Sequence, residues 1–184
     1  KIANAVSVGL NLANAVANLA AFETFKLTNI GVSYQSGAGD YAEWLPKLNS
    51  NEKFSAGDIV GVRNGYITKS TSGADKIMVV STNPIVLGNL PQKGDEANYE
   101  KIAFMGQVPV RVIGIVEPGD YILPSLIMEG YGIGVHPDKM KITDYKKIAG
   151  VAWSVTKSAD FNYVNLAVGL NTNDMSHVIQ QQQE

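Results

Sequence analysis

Residues 101–116 read KIAFMGQVPVRVIGIV, and the fold class turns on how that run is taken. It is dense in β-branched and aromatic residues, which suit a pleated, half-buried surface. Gly106 divides it into two expected strands, and Pro109, which cannot donate to a ladder, restricts one of them to an edge or a bulge. Upstream, KIMVV at 76–80 is a strand apolar enough to be buried, entered through the turn Ser72-Gly73-Ala74-Asp75. Before it, Ala56-Gly57-Asp58 turns the chain into DIVGV, and Asn64-Gly65 signals a hairpin into YITKS. The run STNPIVLGNL at 81–90 holds two turn dipeptides, Asn83-Pro84 and Gly88-Asn89, around a short apolar patch, and 91–100 reads as a polar exposed loop.

Downstream, Pro118-Gly119-Asp120 turns into YILPS, and GYGIGV alternates glycine with larger residues. Residues 143–147 suggest one helical turn, and 149–155 and 163–168 two last strands. NIGVSYQ at 29–35 alternates as a strand does. About nine or ten short strands at regular spacing predict a mainly β, compact barrel- or sandwich-like domain, not a βαβ protein. No repeat of solenoid length is present.

The first 26 residues differ in kind. They are alanine-rich and proline-free, and Ile2, Ala5, Gly9, Leu12, Val16 and Leu19 step by three and four, as a helix-packing seam requires. Asn4, Asn11 and Asn18 recur every seven residues on a neighbouring face. A seam this small-sided suits packing against copies of itself, as at the end of a fibre stalk. An amphipathic helix lying on its own domain is the other reading. The expected division is a helical stalk and association segment at 1–28, a β domain at 29–170, and a polar tail at 171–184 ending in QQQQE. Because the chain begins at Lys1, it is expected to be a piece of something longer.

Hydrophobic residues make up 45% of the chain, charged residues 17%, and the net charge is −2. No basic field or Lys/Arg cluster exists to attract nucleic acid. The absence of cysteine removes disulfides, thiolate metal sites and thiol nucleophiles. The two histidines, His136 and His177, lie far apart and outside any metal-ligand spacing, so neither metal nor cofactor is expected; His136 before Pro137 reads as a turn residue. The glycines of residues 130–134 match no phosphate loop and read better as strand glycines packed against a neighbour. No apolar run reaches the roughly 18 residues of a membrane span.

Chemistry is most legible at 37–48, GAGDYAEWLPKL, where helix pattern gives way to strand pattern. Asp40 and Glu43 stand three apart among Tyr41, Trp44 and Leu45. On a helical turn the two would share a side; on a strand they would face opposite ways. Glu43, in apolar company, would have its pKa raised by desolvation and keep a proton, while Asp40 stayed ionised as base or orienting group. Such a pair can cleave an amide by acid–base catalysis. Gly37 and Gly39 loosen the backbone, so the bond before Asp40 could be held exposed or strained. The plain alternative is a surface turn with Asp40 as its cap and Glu43 solvated. A Ser36 nucleophile activated by Lys47 is a further, less specific arrangement.

GDYAEWLPKL, then AGDIVGV with NGYI, then IMVVSTNPIVLGN, then GQVPVRVIGIVEPGDYILPS, resembles in block order the peptidase G2 family over roughly residues 36–154. These are intramolecular-chaperone autoproteolytic domains at the ends of phage appendage, tail-spike and bacterial surface fibre proteins. The resemblance implies a homotrimer that brings the upstream fibre into register, on the bacterial surface or the virion, and then cuts its own chain as a glutamic-type peptidase. By matching residues, the break would fall between Gly39 and Asp40, with Asp40 and Glu43 as the acid pair. Family members carry serine or another polar residue where this chain has Gly39. That departure leaves open an alternative: a non-cleaving structural cap or docking module of a secreted adhesin.

Overall fold

The computed structural model describes residues 2–28, 39–156 and 158–169. The chain divides into two compact units, Lys1–Gln35 and Ser36–Glu184. The described residues of the first form a helix, α1 (Ile2–Thr28), ending two residues beyond the expected 26. All its described side chains, residues 6–27, are exposed, Leu12, Val16 and Leu19 of the expected seam among them. The strand expected at 29–35, His177 and the tail from 171 lie outside the described residues.

The second unit is mainly β, with ten strands among the described residues: β1 (Asp40–Pro46), β2 (Ile59–Arg63), β3 (Tyr66–Thr68), β4 (Lys76–Val80), β5 (Val86–Gly88), β6 (Tyr99–Ile113), β7 (Tyr121–Pro124), β8 (Gly132–Val135), β9 (Gly150–Ala152) and β10 (Phe161–Val168). The Asn64-Gly65 turn between β2 and β3 has positive φ at both residues, 49° and 82°, the backbone twist a tight hairpin needs. KIMVV is β4 and pairs with β2 and β6, as its apolar run suggested.

The organiser is β6. Where two strands were expected around Gly106, one strand of 15 residues runs through it. Along one side, β1 pairs from Tyr99 to Gly106 and β10 takes over from Gly106 to Ile113. On the other side, β4 pairs at Ile102 and Ala103 and β8 at Val112. Gly106 is therefore a partner exchange within a strand, not a break between two. The second half of β6 closes with β8, β7, β9 and β10 into a five-stranded barrel. Its interior is filled by Val108, Val110 and Val112 from β6, Val164, Leu166 and Val168 from β10, Ile122 from β7 and Ala152 from β9. The first half joins β1, β4, β2 and β3, with β5 parallel to β1; Lys47 bridges to Ile67 and packs that sheet around Val60, Val62, Ile67, Val80 and Ile102.

Pro109 sits inside β6, opposite Asn165, not on an outer edge. The Arg111 N–H, two residues on and so on the same side of the strand, donates to Gly57 O. That side has no strand partner between Ala103 and Val112, so the missing N–H of Pro109 falls on a local edge. Glycines 132 and 134 pack as expected: a Cβ on Gly132 would lie 2.5 Å from Ile122 Cγ2 and 2.7 Å from Ile59 Cδ1.

Candidate functional site

The segment carrying Asp40 and Glu43 is a strand. β1 runs between β5, which it meets in parallel, and β6, antiparallel. The two-residue period puts Asp40 and Ala42 on the buried face and Tyr41 and Glu43 on the other. Within one chain the two acids therefore point to opposite sides of the sheet. A β-bulge at Phe104 shifts the register between Tyr41 and Ala42, and the Phe104 ring meets Tyr41 edge-on at 6.2 Å.

Asp40 is 3% exposed, and its Oδ2 has no hydrogen-bond partner. Burial pushes its carboxyl above the ordinary carboxylate range; the Ser81 hydroxyl, its own backbone N–H and the Lys101 charge pull partly back. Neither Ser81 Oγ nor Asp40 Oδ2 has a partner at hydrogen-bond geometry. Asp40, not Glu43, is thus the buried acid. The Gly39 carbonyl, on the other side of the bond expected to break, accepts the Gln107 N–H at 2.9 Å, and Asp40 O accepts Ile85 N–H at 2.8 Å.

Glu43 is partly exposed, and its Oε1 accepts a hydrogen bond from the Tyr41 hydroxyl. That contact raises the Tyr41 pKa, chiefly because a phenolate beside the carboxylate would lose the bond. Gly88, opposite Glu43 in β5, leaves the space: a Cβ there would lie 3.2 Å from the Tyr41 hydroxyl. Around this pair Tyr41, Val86, Phe104 and Met105 are exposed, an apolar surround on an open face.

Of the other expected residues, Lys47 gives its Nζ to Ala97 O at 3.0 Å and lies over the Phe54 ring. Ser36 lies outside the described residues. His136 caps a short turn at Pro137–Lys139, its Nδ1 accepting the Asp138 N–H. No group of three or more potential metal ligands occurs among the described residues.

A charged cluster escaped the sequence reading. Asp58, taken only as part of a turn, is fully buried, 2.7 Å from Arg111 Nη1 and 3.2 Å from Lys69 Nζ. The Ser55 N–H donates to its Oδ2 at 2.9 Å. Arg111 also donates to the Tyr131 hydroxyl and lies over that ring, 4.1 Å from its centroid. The cluster ties β6 to the turn before β2 and the loop before β8. Its one legible signal was Arg111 itself, the single charge in the second half of β6.

Two solved structures share this fold. One is pre-mature gene product 12 of bacteriophage phi29, with TM-score 0.53 and 13% identity over 76% of this chain and 23% of that one. The other is the C-terminal fragment of the same gene product, with TM-score 0.50 and 14% identity over 70% of this chain and 99% of the fragment. The chain thus spans about a quarter of the pre-mature protein but the whole of the fragment. No protein-family model matches the sequence, and no curated protein matches it.

Proposed function

We propose that the chain is a C-terminal trimerisation and intramolecular chaperone domain, of the peptidase G2 kind, from a phage or surface fibre protein, and that it cuts itself between Gly39 and Asp40. The observation carrying this reading is the buried, unpartnered Asp40 carboxyl directly after a bond whose carbonyl is held by the Gln107 N–H. The fold shared with a C-terminal fragment of a phage protein supports the setting. The apolar side chains exposed along α1 support self-association, since they bury their surface once copies pack together.

Cleavage is a hydrolysis. Water adds to the Gly39 carbonyl carbon, the bond to the Asp40 nitrogen breaks, and that nitrogen leaves with a proton. The Gln107 N–H is placed to stabilise the charge developing on the carbonyl oxygen. Asp40 supplies or takes the proton beside the bond. Glu43, turned to the opposite face with Tyr41, serves the bond of a neighbouring copy, whose approach covers Val86, Phe104 and Met105.

A second reading, the non-cleaving cap, draws on the same backbone. The carbonyls on both sides of the bond are engaged in ordinary hydrogen bonds, and Gly39 has no side chain to assist. Mass spectrometry of the incubated full chain separates the two. Fragments meeting at Gly39–Asp40, abolished by Asp40→Asn or Glu43→Gln, support self-cleavage; a chain intact over days supports the cap.

A further inference from the structure

Tyr41 and Glu43 form a pair that both neighbouring strands accommodate. They stand two apart on β1, so their side chains leave the sheet on the same face. The Tyr41 hydroxyl donates to Glu43 Oε1. In β5, Gly88 stands beside Glu43, and a Cβ there would lie 3.2 Å from the hydroxyl and 3.4 Å from Glu43 Cγ. In β6, the bulge leaves Phe104 between the residues opposite Tyr41 and Ala42, with its ring edge-on to Tyr41 at 6.2 Å. A missing side chain thus leaves room for the contact on one flank, and an aromatic ring holds the phenol on the other. A hydrogen bond incidental to the surface needs neither.

We propose that Tyr41 is a positioning residue for Glu43: its hydroxyl anchors Oε1 and leaves Oε2 free to act on the Gly39–Asp40 bond of a neighbouring copy. This deepens the self-cleavage reading above and rests on it. A partly exposed glutamate samples several rotamers, and fixing one carboxylate oxygen fixes where the other points. Oε2 takes a proton from the attacking water as the water oxygen bonds to the Gly39 carbonyl carbon. The Asp40 carboxyl gives a proton to the leaving nitrogen, and the two acids restore their starting states through solvent. Tyr41 itself transfers nothing. A phenol suits the task because it donates until it ionises, and the carboxylate it bonds pushes that ionisation above the ordinary tyrosine value. β5 carries no titratable residue, and Met105 and Ile102 of β6 stand opposite Tyr41 and Glu43.

The test uses the full chain and two readouts. The first is made on Asp40→Asn, so that the chain stays whole, and follows the tyrosine ring carbons by NMR against pH. The signal missing from Tyr41→Phe is that of Tyr41. Glu43→Gln is expected to move its titration down toward the ordinary tyrosine value. A titration that Glu43→Gln leaves in place overturns the proposal, whether or not the chain cuts itself.

The second readout is cleavage. Tyr41→Phe keeps the ring and is expected to slow cleavage about tenfold. Gly88→Ala, which displaces the pair while keeping both side chains, is expected to slow it as well. A fluorinated tyrosine at position 41, whose hydroxyl ionises at lower pH, is expected to cut at the parent rate while protonated and to lose that rate on ionising. A role in packing alone would not respond to that ionisation. Cleavage at the parent rate in Tyr41→Phe overturns the proposal and leaves self-cleavage standing. A parent chain that stays uncut overturns the self-cleavage reading and the use of the pair in it, while the titration still decides whether the hydroxyl holds the carboxylate. Equal melting curves for the tyrosine and phenylalanine forms exclude unfolding as the cause of any change.

Discussion

Gly106 has no side chain because Gly39 passes where one would be. A Cβ built on Gly106 would run into the Gly39 carbonyl oxygen and lie 2.9 Å from Asp40 Cα, and its φ of +115° is itself unfavourable for any other residue. This contact sets β1 on β6 at the point where β6 exchanges partners.

Gly106→Ala is therefore expected to destabilise the domain by more than about 3 kcal/mol, combining a backbone clash with a left-handed φ. Gly119 provides the control. Its φ is +95° with nothing within 4 Å of a built Cβ, so Gly119→Ala carries the backbone cost only, about 1–2 kcal/mol. Urea denaturation of the two variants checks the order; equal costs would refute the clash.

Asp58 depends on its cations. Arg111→Met leaves a fully buried carboxylate with only partly exposed Lys69, and is expected to cost about 3–5 kcal/mol. Lys69→Met keeps the shorter Arg111 contact and should cost clearly less. A double-mutant cycle of Asp58→Asn with Arg111→Met measures the coupling, and additive effects would contradict the pairing.

Asp40 makes stability depend on pH. Its folded pKa lies above the unfolded value near 3.8, so the folded state holds the proton longer. The stability this confers is complete below the unfolded value and is lost as pH rises through the folded one. Asp40→Asn removes that dependence. Relative to the parent, the variant is expected to gain stability as pH rises above the unfolded value and to hold level once pH has passed the folded one. Melting temperatures at several pH values check the sign; a gain that grows toward acid pH would contradict it.

If the acids meet between copies, two inactive chains should rescue one another. Asp40→Asn and Glu43→Gln, each uncleaved alone, are expected to yield fragments when unfolded together and refolded. Gels that stay free of fragments, from a mixture confirmed to form mixed oligomers, would place both acids of a working site in the same chain.

Light scattering on the full chain is expected to give three times the monomer mass. Leu12→Glu combined with Leu19→Glu puts charge into the seam of α1 and should lower the mass or weaken association about tenfold or more. A monomer at micromolar concentration in the unaltered chain would remove the trimer from the reading.

Local chemistry was legible wherever a short stretch decided its own conformation. Asn64-Gly65 specified a tight turn because both residues tolerate positive φ. KIMVV specified a buried strand because five consecutive residues, four of them apolar, left little else for it to do. The continuity of β6 was not legible. A glycine amid apolar residues looks like a break, and only the arrival of β1 and β10 on the same side shows that the chain carries straight on. Pro109 misled similarly: it does lie on a local edge, but one made by the interval between two other strands.

What the sequence determined unaided is the mainly β class, most of the turns, the N-terminal helix, and the motif in which two acids stand three apart. Those are properties of period and local backbone preference, which neighbours in sequence decide. Which acid is buried, which face each occupies, and that Asp58 and Arg111, 53 residues apart, share a charge pair were decided by tertiary structure alone. Desolvation and pairing belong to the groups that surround an atom, and in a sheet most of those arrive from distant parts of the chain.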